Sequence, residues 1–345
     1  NPNFNGSVTS NFLTINGEGI TNISGTLYAD TTVVNLEKFE FDEEQGGHYM
    51  ARAGMSTVGD KRLFGTLQVT NGRVSNLLSL LGKPVDKLDG SLSGTVDLGG
   101  TYGNPSLNVV GSIKDVTIDT KVVGDAKIDA SLENRKFKIR TLKLPVDDGL
   151  IAAGGTVDLD GDADLQIAVR DVDIEPFLPL IGDNINATGS VTGVINMTGA
   201  TQNPKVELSA SLANGSYNGI DIDQGFVLAT MENHVINVQR IQGVKEDYKL
   251  SAYGKIPLAA LYTTGYLDAN DSKAMDMTID FNEADMAVIP LITPTVKDAT
   301  GALKGVVHVT GTIDQPEAYG TVSVRNGTMK IKNVGNELKD IDGDL

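Results

Sequence analysis

The segment Gly90-Ser-Leu-Ser-Gly94-Thr-Val-Asp-Leu-Gly-Gly100-Thr-Tyr-Gly-Asn-Pro105 is the first of three copies of one pattern in this chain. Its second copy spans residues 189–204 and its third spans residues 301–316, and the glycine and proline columns align without a gap. Each column moves by 99 residues from the first copy to the second (90 to 189) and by 112 from the second to the third (189 to 301). An internal repeat of this kind predicts a repetitive architecture.

Within the segment the apolar side chains alternate with small or polar ones, as in Leu92, Val96 and Leu98 of the first copy. A period of two predicts a β-strand with one apolar face. Asp97, and its counterparts Asn196 and His308, should therefore lie on the opposite face, toward water. The glycine between the first two apolar columns indicates a bend or the close approach of another backbone.

The composition favours a repetitive β-protein over two packed globules, although 345 residues would suit two domains. There are 39 glycines, no tryptophan and 5% aromatic residues. A net charge of −17 excludes nucleic acid as a partner, and the absence of cysteine excludes disulfides and thiolate chemistry. No apolar run approaches the roughly 20 residues of a membrane-spanning helix. We expect the chain to be a fragment of a longer repetitive protein.

Short helices are predicted just before the repeated segment, where the apolar period changes. The stripe is formed by Val74, Leu77, Leu78 and Leu81, then by Ile174, Phe177, Leu178 and Ile181, and more weakly by Val288, Ile289 and Ile292. The predicted organisation is one continuous repetitive domain over 1–345: a repeat body without its head (1–77), two full repeats (78–177 and 178–288) and the start of another (289–345). The 13 extra residues of the second full repeat lie around 262–272, as a solvated loop or added hairpin.

Turn signals separate the strands. Hairpin turns are predicted at Asn71-Gly72, Asp89-Gly90, Asp148-Gly149, Asp160-Gly161, Asn214-Gly215, Asn326-Gly327 and Asp342-Gly343, so that strands pair antiparallel in sequence order. A long sheet with one apolar face must curl over itself or bind something apolar. The predicted fold class is all-β: an elongated, curled antiparallel sheet with a hydrophobic groove and short amphipathic helices at the repeat boundaries.

No residue pattern predicts catalysis, a metal or a cofactor. His48, His234 and His308 lack metal-ligand spacing, and Asp158 to Asp164 lacks the glycine and glutamate that an EF-hand loop needs. A solvated hairpin is the preferred interpretation of this aspartate run, with a bound cation as the alternative. No nucleophile elbow, Walker loop or zinc-protease motif occurs. The prediction is a protein that is not an enzyme.

The repeated glycine-proline segment, followed by alternating strands and preceded by a short helix, resembles the repeats of the TamB family of AsmA-like bridge proteins. The resemblance covers the whole chain. It implies a taco-shaped sheet in the periplasm of a diderm bacterium, anchored to the inner membrane by a segment absent here. It also implies that the chain conducts phospholipids between the inner and outer membranes, or alternatively acts as a scaffold for the assembly and secretion of outer-membrane β-barrel proteins. An outer-membrane barrel assembly protein is then a possible partner.

The apolar columns are the predicted lining of the lipid groove. They comprise Leu92, Val96, Leu98, Leu107, Val109, Val191, Ile195, Met197, Val206, Leu208, Leu303, Val307 and Val309. Two other classes of protein remain as alternatives. An outer-membrane barrel would need aromatic girdles, which a chain without tryptophan lacks. A structural or adhesive β-repeat stalk would bury both faces of its sheet and bind no lipid.

Overall fold

A computed structural model describes residues 3–44, 46–80, 82, 87–181, 186–246, 248–261, 272–292, 295–313, 315–332 and 337–344. Over these residues the protein is all-β and antiparallel, with twenty strands and only short helices. The predicted fold class is therefore confirmed. The chain divides into unit 1, Asn1–Ala168 with Pro179–Asp183, and unit 2, Val169–Leu178 with Asn184–Leu345.

The strands follow one another along the chain with four short helices between them. The strands are β1 (Phe4–Ile15), β2 (Glu18–Ala29), β3 (Val33–Glu43), β4 (His48–Ser56), β5 (Leu63–Arg73), β6 (Leu88–Thr101), β7 (Asn104–Ile118), β8 (Lys121–Glu133), β9 (Lys136–Val146), β10 (Gly149–Asp158), β11 (Asp162–Asp173), β12 (Ala187–Ala200), β13 (Lys205–Tyr217), β14 (Ile220–Glu232), β15 (Val235–Lys245), β16 (Tyr248–Pro257), β17 (Met275–Asp285), β18 (Val296–Gly311), β19 (Pro316–Ile331) and β20 (Glu337–Asp344). The helices are α1 (Val74–Leu80), α2 (Leu178–Ile181), α3 (Leu258–Leu261) and α4 (Ile289–Ile292).

Each unit is built from hairpins in sequence order. In unit 1 every strand from β1 to β10 pairs antiparallel with the next. In unit 2 the same holds from β12 to β20. The repeated segment forms β6, β12 and most of β18, as its alternation predicts.

Five predicted turns are wrong, because Asn71-Gly72, Asp89-Gly90, Asn214-Gly215, Asn326-Gly327 and Asp342-Gly343 lie inside strands. Asn71, Asn214 and Asn326 adopt φ of 54°, 49° and 51° within β5, β13 and β19. The ladder slips by a residue beside all three asparagines, between Val69 and Gly72, between Ala213 and Ser216, and between Val324 and Gly327. A β-bulge uses a left-handed residue as readily as a hairpin turn does, so the dipeptide alone did not decide between them. Asp148-Gly149 does lie at a hairpin turn.

The helices predicted at the repeat boundaries are confirmed. α1 begins at Val74, and 3₁₀ turns at Glu175–Phe177 and Met286–Val288 lead into α2 and α4. Leu81 lies outside the described residues, as do residues 262–271, which hold most of the predicted insertion. α3, just before that insertion, was not predicted. No helix of the described part of the chain is long and apolar enough to span a membrane.

The sheet of unit 1 curls so that the β1–β2 turn reaches α1, where Asn16 Nδ2 donates to the Leu80 carbonyl at 3.0 Å. A buried carboxylate lies at the start of the same helix. Glu43 is 4% exposed and accepts hydrogen bonds from the Tyr49 hydroxyl and, at 3.1 Å, from the Arg73 amide. Burial and this carboxylate raise the pKa of Tyr49 well above its usual range, so the hydroxyl remains a donor.

Candidate ligand-binding face

The predicted groove residues of unit 1 share one face of the sheet. Leu92, Val96 and Leu98 of β6 are paired with Ile113, Val109 and Leu107 of β7. All six side chains are partly exposed rather than buried. An apolar face that is neither sealed nor fully solvated could take up an apolar ligand.

The opposite face of the same strands is polar. Asp97 is paired with Asn108, and Asn108 with Ser131. The Asp97 carboxylate accepts a hydrogen bond from Thr66 at 3.1 Å, and the Arg140 guanidinium donates to Ser131 Oγ at 2.9 Å. The guanidinium also binds Asp129, and this carboxylate raises the pKa of Arg140. Position 97 therefore lies on the polar side, as the alternation predicts.

Unit 2 also has an apolar row on one face of its sheet, although its reverse face exposes Phe226, Leu228 and Val306. Ile195 is paired with Leu208, Leu208 with Ala229, and Ala229 with Val238. This apolar row continues through Gly254 and Met277 to Val309 in β18. The remaining predicted residues form neighbouring rows on this face, with Val191 opposite Leu212, Met197 opposite Val206, and Val307 opposite Ile279.

Leu303 lies in a closed part of this face. It is 3% exposed and belongs to a core with Phe281, Ala284, Met286 and Val324, beside the 3₁₀ turn that leads into α4. The apolar face is thus covered at this boundary helix.

The two polar positions of unit 2 differ in their surroundings. Asn196 is paired with Glu207 and is partly exposed. His308 is also only partly exposed: its Nδ1 lies 3.0 Å from Thr278 Oγ1, and its ring stacks on Tyr319 at 5.4 Å. A surface histidine held by neighbours fits this arrangement.

A cavity of about 460 Å³ opens on the apolar face of unit 2. Its floor is formed by β13 to β16, and Ile174 and Val288, which flank the two boundary helices of the repeat, complete the wall. Charged residues on the wall lie in or beside hairpin turns or a helix start: Asp221, Lys245, Lys249 and Asp285. The Asp285 carboxylate already caps the following 3₁₀ turn by accepting from the Ala287 amide at 2.9 Å.

The cavity exists because two paired positions lack side chains. Gly225 of β14 is directly opposite Gly243 of β15, and the pair is flanked by Leu212 and Leu250. A Cβ added at Gly243 would meet nothing within 4 Å. Sequence reasoning missed these two glycines because they lie outside the repeated segment.

The signal that could have found them is the 99-residue offset between repeats. It aligns Gly225 with Ala126 and Gly243 with Leu144. In unit 1 Ala126 is buried, and Leu144 is opposite Ile151 on the apolar face. Reading the repeat columns beyond the repeated segment would have shown one repeat filled and the other hollow at the same place.

No arrangement for metal chemistry is found in the described part of the chain, where no three His, Asp or Glu side chains converge. In the aspartate run, Asp160 is held by Arg135, which lowers the pKa of that carboxyl, and Asp158 accepts from the Asp160 amide at 3.0 Å. Of these two carboxylates, Asp158 therefore stabilises the hairpin turn itself and Asp160 binds Arg135 beside it. They show the geometry of a solvated turn.

Comparison with known proteins places the chain in no group: no family model, curated protein or solved structure matches it.

Proposed function

We propose that this protein carries phospholipid acyl chains along the apolar face of its sheet, without catalysis, between the inner and outer membranes of a diderm bacterium. The observation that supports the proposal is the partial exposure of predicted lining residues in both units, as at Val96 and Leu98 of unit 1 and at Ile195 and Met197 of unit 2. A stalk would bury such residues against a second layer.

The physical benefit of such a face is large. Two acyl chains have about thirty methylenes, and exposing each to water costs about 0.8 kcal/mol, so crossing an aqueous gap unprotected costs on the order of 24 kcal/mol. Apolar contact removes most of that barrier and needs no particular residue. Conservative exchanges such as Met197→Leu should therefore leave transport nearly unchanged.

The proposal is tested by photocrosslinking. A photoreactive residue at position 96 or 197, on the apolar face, should capture phospholipid from vesicles, whereas one at the neighbouring position 97 or 196 should not. Met197→Asp puts a charge against the chains and should reduce lipid transfer between vesicles. Equal capture at all four positions, or capture at none, would indicate that the apolar face is a core and would favour the stalk.

A second candidate, a scaffold for the assembly of β-barrel proteins, is favoured by β1. This strand exposes Phe4, Val8 and Phe12, each more than half exposed. Exposed apolar side chains of this kind can contact another polypeptide. The scaffold function predicts that lysine substitutions at Val8 and Phe12 reduce barrel assembly while lipid capture at position 197 is unchanged.

A further inference from the structure

We propose that the cavity between the boundary helices of unit 2 is a binding site for one long-chain fatty acid anion. The site lies on the same apolar face as the proposed phospholipid path but takes a different ligand. It is a cavity of limited volume on that face, whereas conduction needs only continuous apolar contact. The inference goes beyond the proposed function and can fail separately from it.

The volume favours a single chain. A protein cavity of about 150 Å³ holds one benzene, which has six carbons, so a cavity of about 460 Å³ has room for about eighteen carbons. The second chain of a phospholipid would have to remain outside. Leu212, Val227, Ile241 and Leu250 form an apolar part of the wall, against which an acyl chain can pack.

The charge on the wall favours an anionic head. Lys245 ends β15, two residues beyond Gly243, and so lies on the same face by alternation. The aligned residue of the preceding repeat is Val146, which is 2% exposed and confirms that this column turns inward. Among the described residues no hydrogen bond or ion pair is found for the Lys245 ammonium group. It is therefore available to a carboxylate at the hairpin end, while the tail extends over the glycine pair.

The other charged residues on the wall do not compete for the head. The Asp285 carboxylate is used by the 3₁₀ turn, Asp221 is exposed at the start of β14, and Lys249 alternates to the opposite face from Leu250. One inward cation beside a cavity for one chain matches a ligand with one chain and one negative charge.

The decisive variant is Gly243→Leu, which installs the residue that unit 1 has at the aligned position. Gly243 lies outside the left-handed region, it lines the cavity, and a Cβ added there would meet nothing within 4 Å. We expect the dissociation constant for oleate, measured by titration calorimetry on the delipidated protein, to rise at least about tenfold. Filling the cavity should also raise Tm by about 2–4 °C, so the loss cannot come from misfolding.

Gly343→Leu is the matched control, because Gly343 is in the same unit, outside the left-handed region, with nothing within 4 Å of an added Cβ. It should leave oleate affinity unchanged. Unaltered oleate affinity in Gly243→Leu, or an equal loss in the control, would overturn the proposal.

The head group is tested with oleate against its uncharged methyl ester. The native protein should prefer oleate by about tenfold, and Lys245→Gln should abolish the preference while retaining the ester. An unchanged preference in Lys245→Gln would refute the assignment of the head. Dioleoyl phospholipid, titrated in parallel, should bind equally well to native and Gly243→Leu protein. Phospholipid binding tests the proposed function. If Gly243→Leu weakened phospholipid binding but left oleate binding unchanged, the cavity would hold phospholipid instead of fatty acid.

Discussion

The repeat in unit 1 and the repeat in unit 2 share a backbone plan but differ in how the same three columns are filled. In unit 1 one strand set carries Ala126, Leu144 and Ile151, and in unit 2 the aligned set carries Gly225, Gly243 and Leu250. The first repeat body of unit 1 is filled differently again, with Phe41 stacked on Tyr49 at 4.6 Å between ring centroids. A change of side chains in one column thus converts a filled surface into a cavity without a change in strand pairing.

The largest effect on stability is expected when the glycine pair of unit 2 is introduced at the aligned positions of unit 1. The double variant Ala126→Gly and Leu144→Gly should lower the free energy of unfolding by about 3–5 kcal/mol, because it removes a large side chain and adds strand glycines. Urea denaturation measures the loss. Leu144→Val keeps the column filled and should cost less than about 1.5 kcal/mol.

This double variant should also bind a fluorescent fatty acid at a second site per chain. A stoichiometry that stays at the native value would show that two glycines do not suffice to make the cavity.

The next effect concerns the last residue of β3, β9 and β15, which is Glu43, Val146 and Lys245 respectively. Tyr49→Phe removes a hydroxyl that donates to the buried Glu43 carboxylate, and should cost about 2 kcal/mol of unfolding free energy. Tyr28→Phe is the control, because its hydroxyl donates to Asp30 at a solvated turn. Equal losses of unfolding free energy in the two variants would mean that the burial of Glu43 does not strengthen the hydrogen bond from Tyr49.

A smaller effect of opposite sign is expected at Gly243. Gly243→Ala should raise the free energy of unfolding by about 0.5–1 kcal/mol, since the site is open and its φ suits alanine. Gly254→Ala, in the next strand, should destabilise instead, because its φ is 147° and the new Cβ would lie 2.2 Å from the Asp276 carbonyl oxygen. Thermal unfolding of both variants checks the contrast, and a destabilising Gly243→Ala would contradict the cavity.

The smallest expected effect concerns the carboxylate of Asp30, in the turn between β2 and β3. This turn lies apart from the positions that are filled in unit 1 and empty in unit 2. Hydrogen bonds from Thr32 and Tyr28 lower the pKa of Asp30 to about 2. Because an unfolded aspartate titrates near 3.9, the stabilisation is complete above about pH 4 and is lost as the pH falls through about 2. An NMR titration should place the Asp30 midpoint near 2 in native protein and in Gly243→Leu alike. A midpoint near 3.9 would show that the turn does not hold this carboxylate.

The fold was predictable from sequence because the signals that decide it are local. Alternation in the segment around Val96 determines the strand and its faces, and the stripe that starts at Val74 determines the helix. Bulges at Asn71 and Asn214 were missed because a left-handed residue serves a turn or a bulge equally well. The cavity was missed for a different reason: Gly243 matters only through what it faces across the sheet, on strands far along the chain.

Pairing of each strand with its successor has a consequence for how the protein forms. Within a unit, no strand waits for a distant partner, so every hairpin can add to the edge left by the previous one while the chain is still being made. Loop closures are short, and assembly can proceed from the N-terminal side with little entropic barrier. Each growing edge is briefly unpaired and is protected only by the arrival of the next strand.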